Sequence, residues 1–328
     1  MTSGAIGATP AAQAGASLRA FVDAAFDAVP GVGHITTEGR HHIWDVGGTT
    51  WSFSTRSPHF SRLIRRGFGP GMRPATQPPR PDSFRVFCLD SHRDGMRVCP
   101  PSFNDARQLS PRSPQGLERV QPDPVRRVWL GRGIRVGHQL RENILTIVDL
   151  DRRQALTQVP DAATVPSPEQ AAPMRNLIHW LMASRGRSLI HGAVIGTARG
   201  GVLLAGRGGS GKSSTALAGL AAGMHFAGDD YVLIDASDAP RAFGVYATAK
   251  VERTDVPLYS RLEAEFHHTT GPAGEKAVLF LNGDPPGFQA GLRLRAIVLP
   301  RISASPMRVQ PCRALCVVSG WGGGRRRW

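Results

Sequence analysis

The feature that most restricts this 328-residue chain is the run Gly206-Arg-Gly-Gly-Ser-Gly-Lys-Ser213, which satisfies GxxxxGK[ST]. It follows an apolar stretch, Gly201 to Ala205, and opens a helical pattern from Ser213 to Ala222 that Gly223 stops. Strand, glycine loop and helix in that order are the context in which this motif acts as a phosphate loop. Its glycines turn successive backbone N–H groups inward, and the helix N-terminus adds a favourable dipole for an anion. Residues Gly206, Arg207, Gly208, Gly209, Ser210, Gly211, Lys212, Ser213 and Ser214 are therefore the expected nucleotide-phosphate-binding segment, a loop that by itself does not separate a GTPase, an ATPase, a transporter motor and a kinase. Lys212 is expected to reach the β- and γ-phosphates and the Ser213 hydroxyl to ligate Mg²⁺.

Composition strengthens the case for Lys212. The chain has 40 basic residues, of which only Lys212, Lys250 and Lys276 are lysine. A drift to arginine this complete is what GC-rich coding produces. A lysine that persists in it marks a place where a compact ammonium is needed and a planar guanidinium does not serve. The formal charge of +15 points first to nucleic acid, but residues 142–300 hold 15 basic and 15 acidic side chains. The excess lies at 51–141 and 301–328, so nucleic acid is not the expected partner of the core. An arginine-rich nucleic-acid contact at 58–124 is the competing possibility, and it predicts binding that weakens steeply with salt.

Four scattered cysteines, Cys88, Cys99, Cys312 and Cys316, form neither a disulfide framework nor a zinc pattern. The N-terminus lacks the basic and apolar regions of a signal peptide, and no run of 18 apolar residues occurs. A cytoplasmic setting with no membrane contact is expected.

Along the chain, a helix is expected at Leu18 to Val29, with strands at His42 to Val46 and Thr50 to Ser54 around Gly47-Gly48. Residues 58–124 hold 12 of the 26 prolines and read as a long Pro/Arg-rich loop in which Phe84 to Leu89 is the one strand. Ile144 to Leu150 and Gln154 to Val159 read as a hairpin. Ser167-Pro168-Glu169-Gln170 then starts a helix, with Ser167 as its N-cap, that puts Ala171, Met174, Leu177, Ile178, Leu181 and Met182 on one face and ends at Gly186. A single strand is expected from Leu189 to Ile195. The division that results is a strand-rich region at 1–160, a phosphate-loop domain at 161–311 and an atypical basic tail at 312–328.

Seventeen residues after Lys212, Gly228-Asp229-Asp230 precedes the apolar run Tyr231 to Ile234. Two adjacent acids can divide the labour, one taking the proton of an attacking hydroxyl and the other holding the metal. A turn that uses aspartate only for local capping is the plain alternative.

His191-Gly192, a short hairpin, the phosphate loop, its helix and then Gly-Asp229-Asp230 together resemble the catalytic domain of the HPr kinase/phosphorylase family. Order and spacing agree over residues 189–235, and the likeness extends more loosely over 155–301. It implies an α/β fold of the HPr kinase / phosphoenolpyruvate carboxykinase type, here with a strand-rich N-terminal domain. It implies ATP- and Mg²⁺-dependent transfer of a phosphoryl group to a serine of a protein or peptide, by a homo-oligomer. On this likeness Asp229 takes the role of general base and His191 that of its support beside the phosphates, and Asp230 is then expected to hold the metal with Ser213. The Glu-Ile-Arg-Gly-Leu-Gly segment of full HPr kinase/phosphorylases has no counterpart in 236–252. HPr itself and the reverse phosphorylase reaction are accordingly not implied.

The segments VPDAATVPSPEQAAPMRNLIHWLMASRGRSLIHGAVIG, VYATAKV and EKAVLFL are more similar to HPr-kinase-like proteins of bacterial gene clusters, including kinases of lasso-peptide precursors. On that likeness Lys250 and Lys276 are phosphate or acceptor contacts. A strand lysine open to water is the alternative for Lys250. A nucleotide-binding regulatory protein with little transfer activity is the competing function.

Overall fold

A two-glycine turn sets the first hairpin. Gly47 and Gly48 both have positive φ (55° and 68°), the pairing of a type I′ turn, and they join Arg40–Val46 (β1) to Thr49–Thr55 (β2). The computed structural model describes residues 10–29, 40–69, 72–74, 82–101, 126–260, 262, 264–268, 276–281, 287–302 and 309–310.

Around this hairpin an eight-stranded sheet forms with Arg73–Pro74 (β3), Phe84–Asp90 (β4), Arg126–Leu130 (β5), Ile134–Gln139 (β6), Ile144–Asp149 (β7) and Gln154–Val159 (β8), in the order β3-β1-β2-β4-β8-β7-β6-β5. Every residue of β7 and β8 is buried, which requires cover on both faces. Pro10–Ala28 (α1) covers one face, packing Leu18, Val22 and Phe26 with Phe87, Leu145 and Leu156. Arg19 of α1 also pairs with the buried Asp149, which caps the β7–β8 turn through the N–H groups of Asp151 and Arg152.

The other face is covered by Pro58–Gly67 (α2) and Arg175–Ala183 (α5). The α2 helix corrects the long-loop expectation for the start of 58–124. Ser57 caps it by accepting from Phe60 N–H (3.2 Å), Pro58 sits in its first turn, and Phe60 and Ile64 point inward while Arg62 and Arg65 face water. Proline and arginine content had masked an amphipathic helix. Ser91–Asp94 (α3) is a further short helix in that segment, and residues 102–125 lie outside the described residues.

The expected helix from Ser167 to Gly186 is two helices. Ser167–Ala171 (α4) stops because Ala172 precedes Pro173 and leaves the helical region (φ −136°, ψ 66°), and Met174 turns left-handed (φ 55°) before α5 begins. Ser167 is the first helical residue and makes no side-chain cap. All six residues of the predicted apolar face are nevertheless buried.

The expected strand from Leu189 to Ile195 likewise divides. Arg187–His191 (β9) and Ala193–Thr197 (β10) are separated by Gly192 alone. They join Gly200–Leu204 (β11), His225–Gly228 (β12), Tyr231–Asp235 (β13), Arg241–Gly244 (β14) and Gly291–Val298 (β18) in the order β12-β10-β11-β18-β14-β13-β9. One residue cannot span a flat sheet, so this sheet curls until β9 at one margin meets β10, one strand in from the other margin, at Gly192. A Cβ at Gly192 would lie 2.9 Å from the Leu204 carbonyl, so only glycine fits the junction. A third sheet, Thr248–Glu252 (β15), Ala264–His268 (β16) and Lys276–Leu281 (β17), is ordered β15-β17-β16. The helix Lys212–Ala221 (α6) and the 3₁₀ turn Arg253–Tyr259 lie against β15.

The chain is thus mixed α/β. All strands of the first sheet precede residue 160 and all strands of the other two follow it. The largest apolar core crosses that position, joining Trp44, Phe53 and Phe68 to Leu233, Val245 and Tyr246. Backbone bonds from Gly69 N–H to Val245 O (2.8 Å) and from Ala247 N–H to Gly67 O (3.0 Å) tie the two parts together. Cys88 is buried and Cys99 exposed, both as free thiols, while Cys312, Cys316 and the tail 312–328 lie outside the described residues. Among the described residues no helix is long and apolar enough to cross a membrane.

His42 on β1 sits inside this core, its Nε2 2.8 Å from Ser61 Oγ. Burial, with Arg65, His41 and Arg40 nearby, lowers its pKa from 6.5 to about 4. The unfolded chain therefore takes up the proton first, and stability is full above pH 6.5 and falls as pH drops toward 4. That loss should reach up to about 3 kcal/mol for this group. Denaturant titrations at pH 7 and pH 4.5 should differ less for His42→Gln than for the natural chain. An unchanged difference would remove His42 as a cause.

Candidate functional site

Parallel pairing of β11 with β18 brings the end of β11 to the sheet margin, where Ala205 N–H bonds to Val298 O (3.0 Å) and the loop 206–211 begins. Gly206 has φ 144°, and a Cβ there would press to 3.0 Å from Ser210 Oγ, so the first loop position accepts only glycine. Gly206 to Gly209 are exposed, and Ser210 Oγ is buried in the loop without a hydrogen-bond partner. Lys212 opens α6 with 6% of its surface exposed and folds back over the loop, donating to Gly206 O (2.9 Å) and Arg207 O (3.0 Å). Burial lowers its pKa and Lys276 adds to the effect, while Asp229 and Asp230 oppose it.

Ser213, the next residue, donates from Oγ to Asp229 Oδ1 (3.0 Å). Asp229 is 1% exposed, and its Oδ2 accepts from the backbone N–H of Lys250 on β15 (3.2 Å). Burial, helped by the neighbouring Asp230 charge, raises its pKa against these hydrogen bonds.

Asp230 is conformationally unusual. Its φ is 63°, and Tyr231 N–H closes back onto Asp229 O at 2.7 Å, a three-residue turn with a left-handed centre. Such turns are rare for a side chain other than glycine and cost about 1–3 kcal/mol, which the surroundings must sustain. The turn sends the adjacent carboxylates in different directions. Asp230 Oδ1 lies 3.2 Å from His191 Nε2, and Oδ2 lies 2.7 Å from Lys250 Nζ. Burial alone would raise the pKa of Asp230, but His191 and Lys250 bring it down to about 2. His191, half exposed, stacks near Tyr231 (5.6 Å between rings), and Arg175 lies over Tyr231 at 5.1 Å and is bound to Glu169 (3.5 Å).

The expected residues thus meet at one place, but their contacts are crossed. Ser213 touches Asp229, the expected base, and His191 touches Asp230, the expected metal ligand. Lys250, Tyr231 and Arg175 also belong to the site. Lys250 was legible as one of three lysines, whereas Tyr231 and Arg175 carry no sequence signal that separates them from packing residues. Lys276 lies on the neighbouring strand, 3.6 Å from Glu252. Ser214 bonds to the Tyr259 hydroxyl.

Magnesium commonly takes one or two protein oxygens and completes its shell with water and phosphate. Ser213 Oγ and Asp229 Oδ1 fit that need, since their 3.0 Å separation is about the spacing of neighbouring ligands around Mg²⁺. Both oxygens of Asp230 face other partners. Among the described residues no group of three or more His, Cys, Asp or Glu could hold a metal by itself.

Comparison with models of known protein families gives no match, and neither does comparison with curated proteins.

The snug fit of Lys212 predicts that charge alone does not replace it. Lys212→Arg should weaken nucleotide binding roughly tenfold to a hundredfold, the scale of lost charged hydrogen bonds. Calorimetric titration checks this, and wild-type affinity in the arginine variant would contradict it.

Proposed function

We propose that the chain is an ATP- and Mg²⁺-dependent kinase that transfers the γ-phosphoryl group to a serine hydroxyl of a protein or peptide. The observation that carries this reading is the pair of oppositely directed carboxylates beside the phosphate loop, one bound to Ser213 and the other to His191. A phosphate loop alone serves many activities, but a second carboxylate at the open side supplies what transfer to a hydroxyl requires. The resemblance over residues 189–235 supports the same reading, and a short precursor peptide is the acceptor class it suggests.

In this proposal Lys212 and the amides of 206–214 hold the β- and γ-phosphates. Ser213 and Asp229 hold Mg²⁺, which when bound neutralises charge on the phosphates. Asp230 accepts the proton of the acceptor hydroxyl as its oxygen bonds to the γ-phosphorus and the bond to the ADP oxygen breaks. His191 orients Asp230 through Oδ1. This assignment exchanges the roles expected for the two acids, because Asp229 is buried against Ser213 and Asp230 lies nearer the surface, although the low pKa of Asp230 makes it the weaker base of the two.

A second reading, nucleotide binding for regulation with little transfer, is favoured by one observation. Both oxygens of Asp230 already have partners, His191 and Lys250. Labelled ATP with serine peptides separates the readings: transfer supports the kinase, and tight binding without transfer supports the regulator.

The two acids should also separate in their response to metal. Asp229→Asn should raise the Mg²⁺ concentration needed for half-maximal transfer about tenfold or more. Asp230→Asn should lower turnover about a hundredfold or more at an unchanged Mg²⁺ requirement, the scale of a lost general base. An Asp229→Asn enzyme with a normal Mg²⁺ requirement would contradict this division.

A further inference from the structure

The three lysines of the chain are far apart in sequence, yet all belong to one neighbourhood. Lys212 lies in the phosphate loop, Lys250 reaches Asp230, and Lys276 is near enough to act electrostatically on Lys212. Lys250 and Lys276 project from the same face of the third sheet, since β15 pairs with β17 in the register Lys250↔Val278 and Glu252↔Lys276. In a chain that uses arginine for its other 37 basic residues, this grouping is a property of the site and not of composition.

Lys250 contacts both acids in different ways. Its backbone N–H binds Asp229 Oδ2 (3.2 Å), which fixes where β15 lies, and its ammonium binds Asp230 Oδ2 (2.7 Å), on the side away from His191. Its side chain remains 25% exposed. Asp229 in turn binds Ser213, so a single carboxylate separates Lys250 from the metal side of the phosphate loop. An ammonium has three donors, and at most one is turned to Asp230 Oδ2, whose 2.7 Å contact is an ion pair outside hydrogen-bond geometry. The remaining donors suit a second anion.

We propose that Lys250 is a ligand of the terminal phosphate, held in place by Asp230, and that it makes the site prefer a nucleoside triphosphate to a diphosphate. Lys212 and the loop amides grip phosphates that both nucleotides carry. Lys250 comes from the third sheet, across the acid pair from Ser213, and is assigned to the phosphate that the triphosphate alone carries. Asp230 thus keeps the ammonium in position without a nucleotide, and the triphosphate shares it when bound. This inference rests on the phosphate-loop reading but not on phosphoryl transfer, because it concerns binding alone.

The test is calorimetric titration of the full chain with ADP and with a non-hydrolysable ATP analogue, both with Mg²⁺. Lys250→Met should reduce the preference for the triphosphate at least about tenfold, the scale of one charged hydrogen bond. Since methionine leaves the Asp230 charge without its ammonium, the same titrations are made in the Asp230→Asn/Lys250→Met double variant, where that charge is gone. Relative to Asp230→Asn alone, the double variant should show the same loss of preference. An unmoved ratio in both comparisons overturns the assignment, whether the two affinities are unchanged or fall together. Absence of binding of either nucleotide to the natural chain would overturn the phosphate-loop reading itself. Binding with the expected ratio but no transfer to any peptide would leave this inference standing and count against the kinase alone.

Discussion

A buried carboxylate must be satisfied from every side, and Asp229 is the one on which this site is assembled. It is almost wholly enclosed, and its two oxygens are met by Ser213 from the phosphate-loop helix and by the Lys250 backbone from the third sheet. Removing either donor leaves part of a charge uncompensated in the interior, which is costly. The same residue begins the tight turn that forces Asp230 outward to His191 and Lys250. Loop, turn and small sheet are therefore positioned by one group, and the strain at Asp230 is sustained by the contacts that group organises.

The curled sheet explains how elements remote in sequence reach Asp229. With β9 and β10 joined through Gly192 alone, His191 at the end of β9 is brought beside the β12–β13 turn, and Gly192 N–H bonds to Asp230 O (3.2 Å). The N-terminal sheet supports this arrangement from behind. Tyr246, which leads into β15, is buried against Phe68 and donates to Pro173 O (3.1 Å), while Thr248 at the start of β15 donates to Ala171 O (2.6 Å). The break between α4 and α5 thus has a use, because a continuous helix would keep those carbonyls for itself.

What could be read from the chain was whatever depends on local chemistry. The glycine loop between strand and helix, the acid pair, the Gly47-Gly48 hairpin and the apolar face of 171–182 all follow from residue types at fixed spacing. Where composition stood in for pattern, at 58–67, the helix was missed, since its proline lies in the first turn and its arginines on the wet face. The breaks at Pro173 and Gly192 were passed over because apolar periodicity runs through both, although each residue has a steric reason to interrupt. Which carboxylate meets Ser213 was not legible at all. It depends on a positive φ at Asp230 that no neighbouring residue announces, and on a strand twenty residues further on.

The central claim is that the loop, the acid turn and Lys250 form a single nucleotide-phosphate site. Amide hydrogen exchange with and without MgATP tests it most directly. The account predicts slowed exchange at 206–214 together with the amides of Tyr231 and Lys250, because the contacts that close this turn become harder to open once the phosphates are bound. Protection of the loop with no change at 229–231 and 250, or protection confined to the N-terminal sheet, would contradict it.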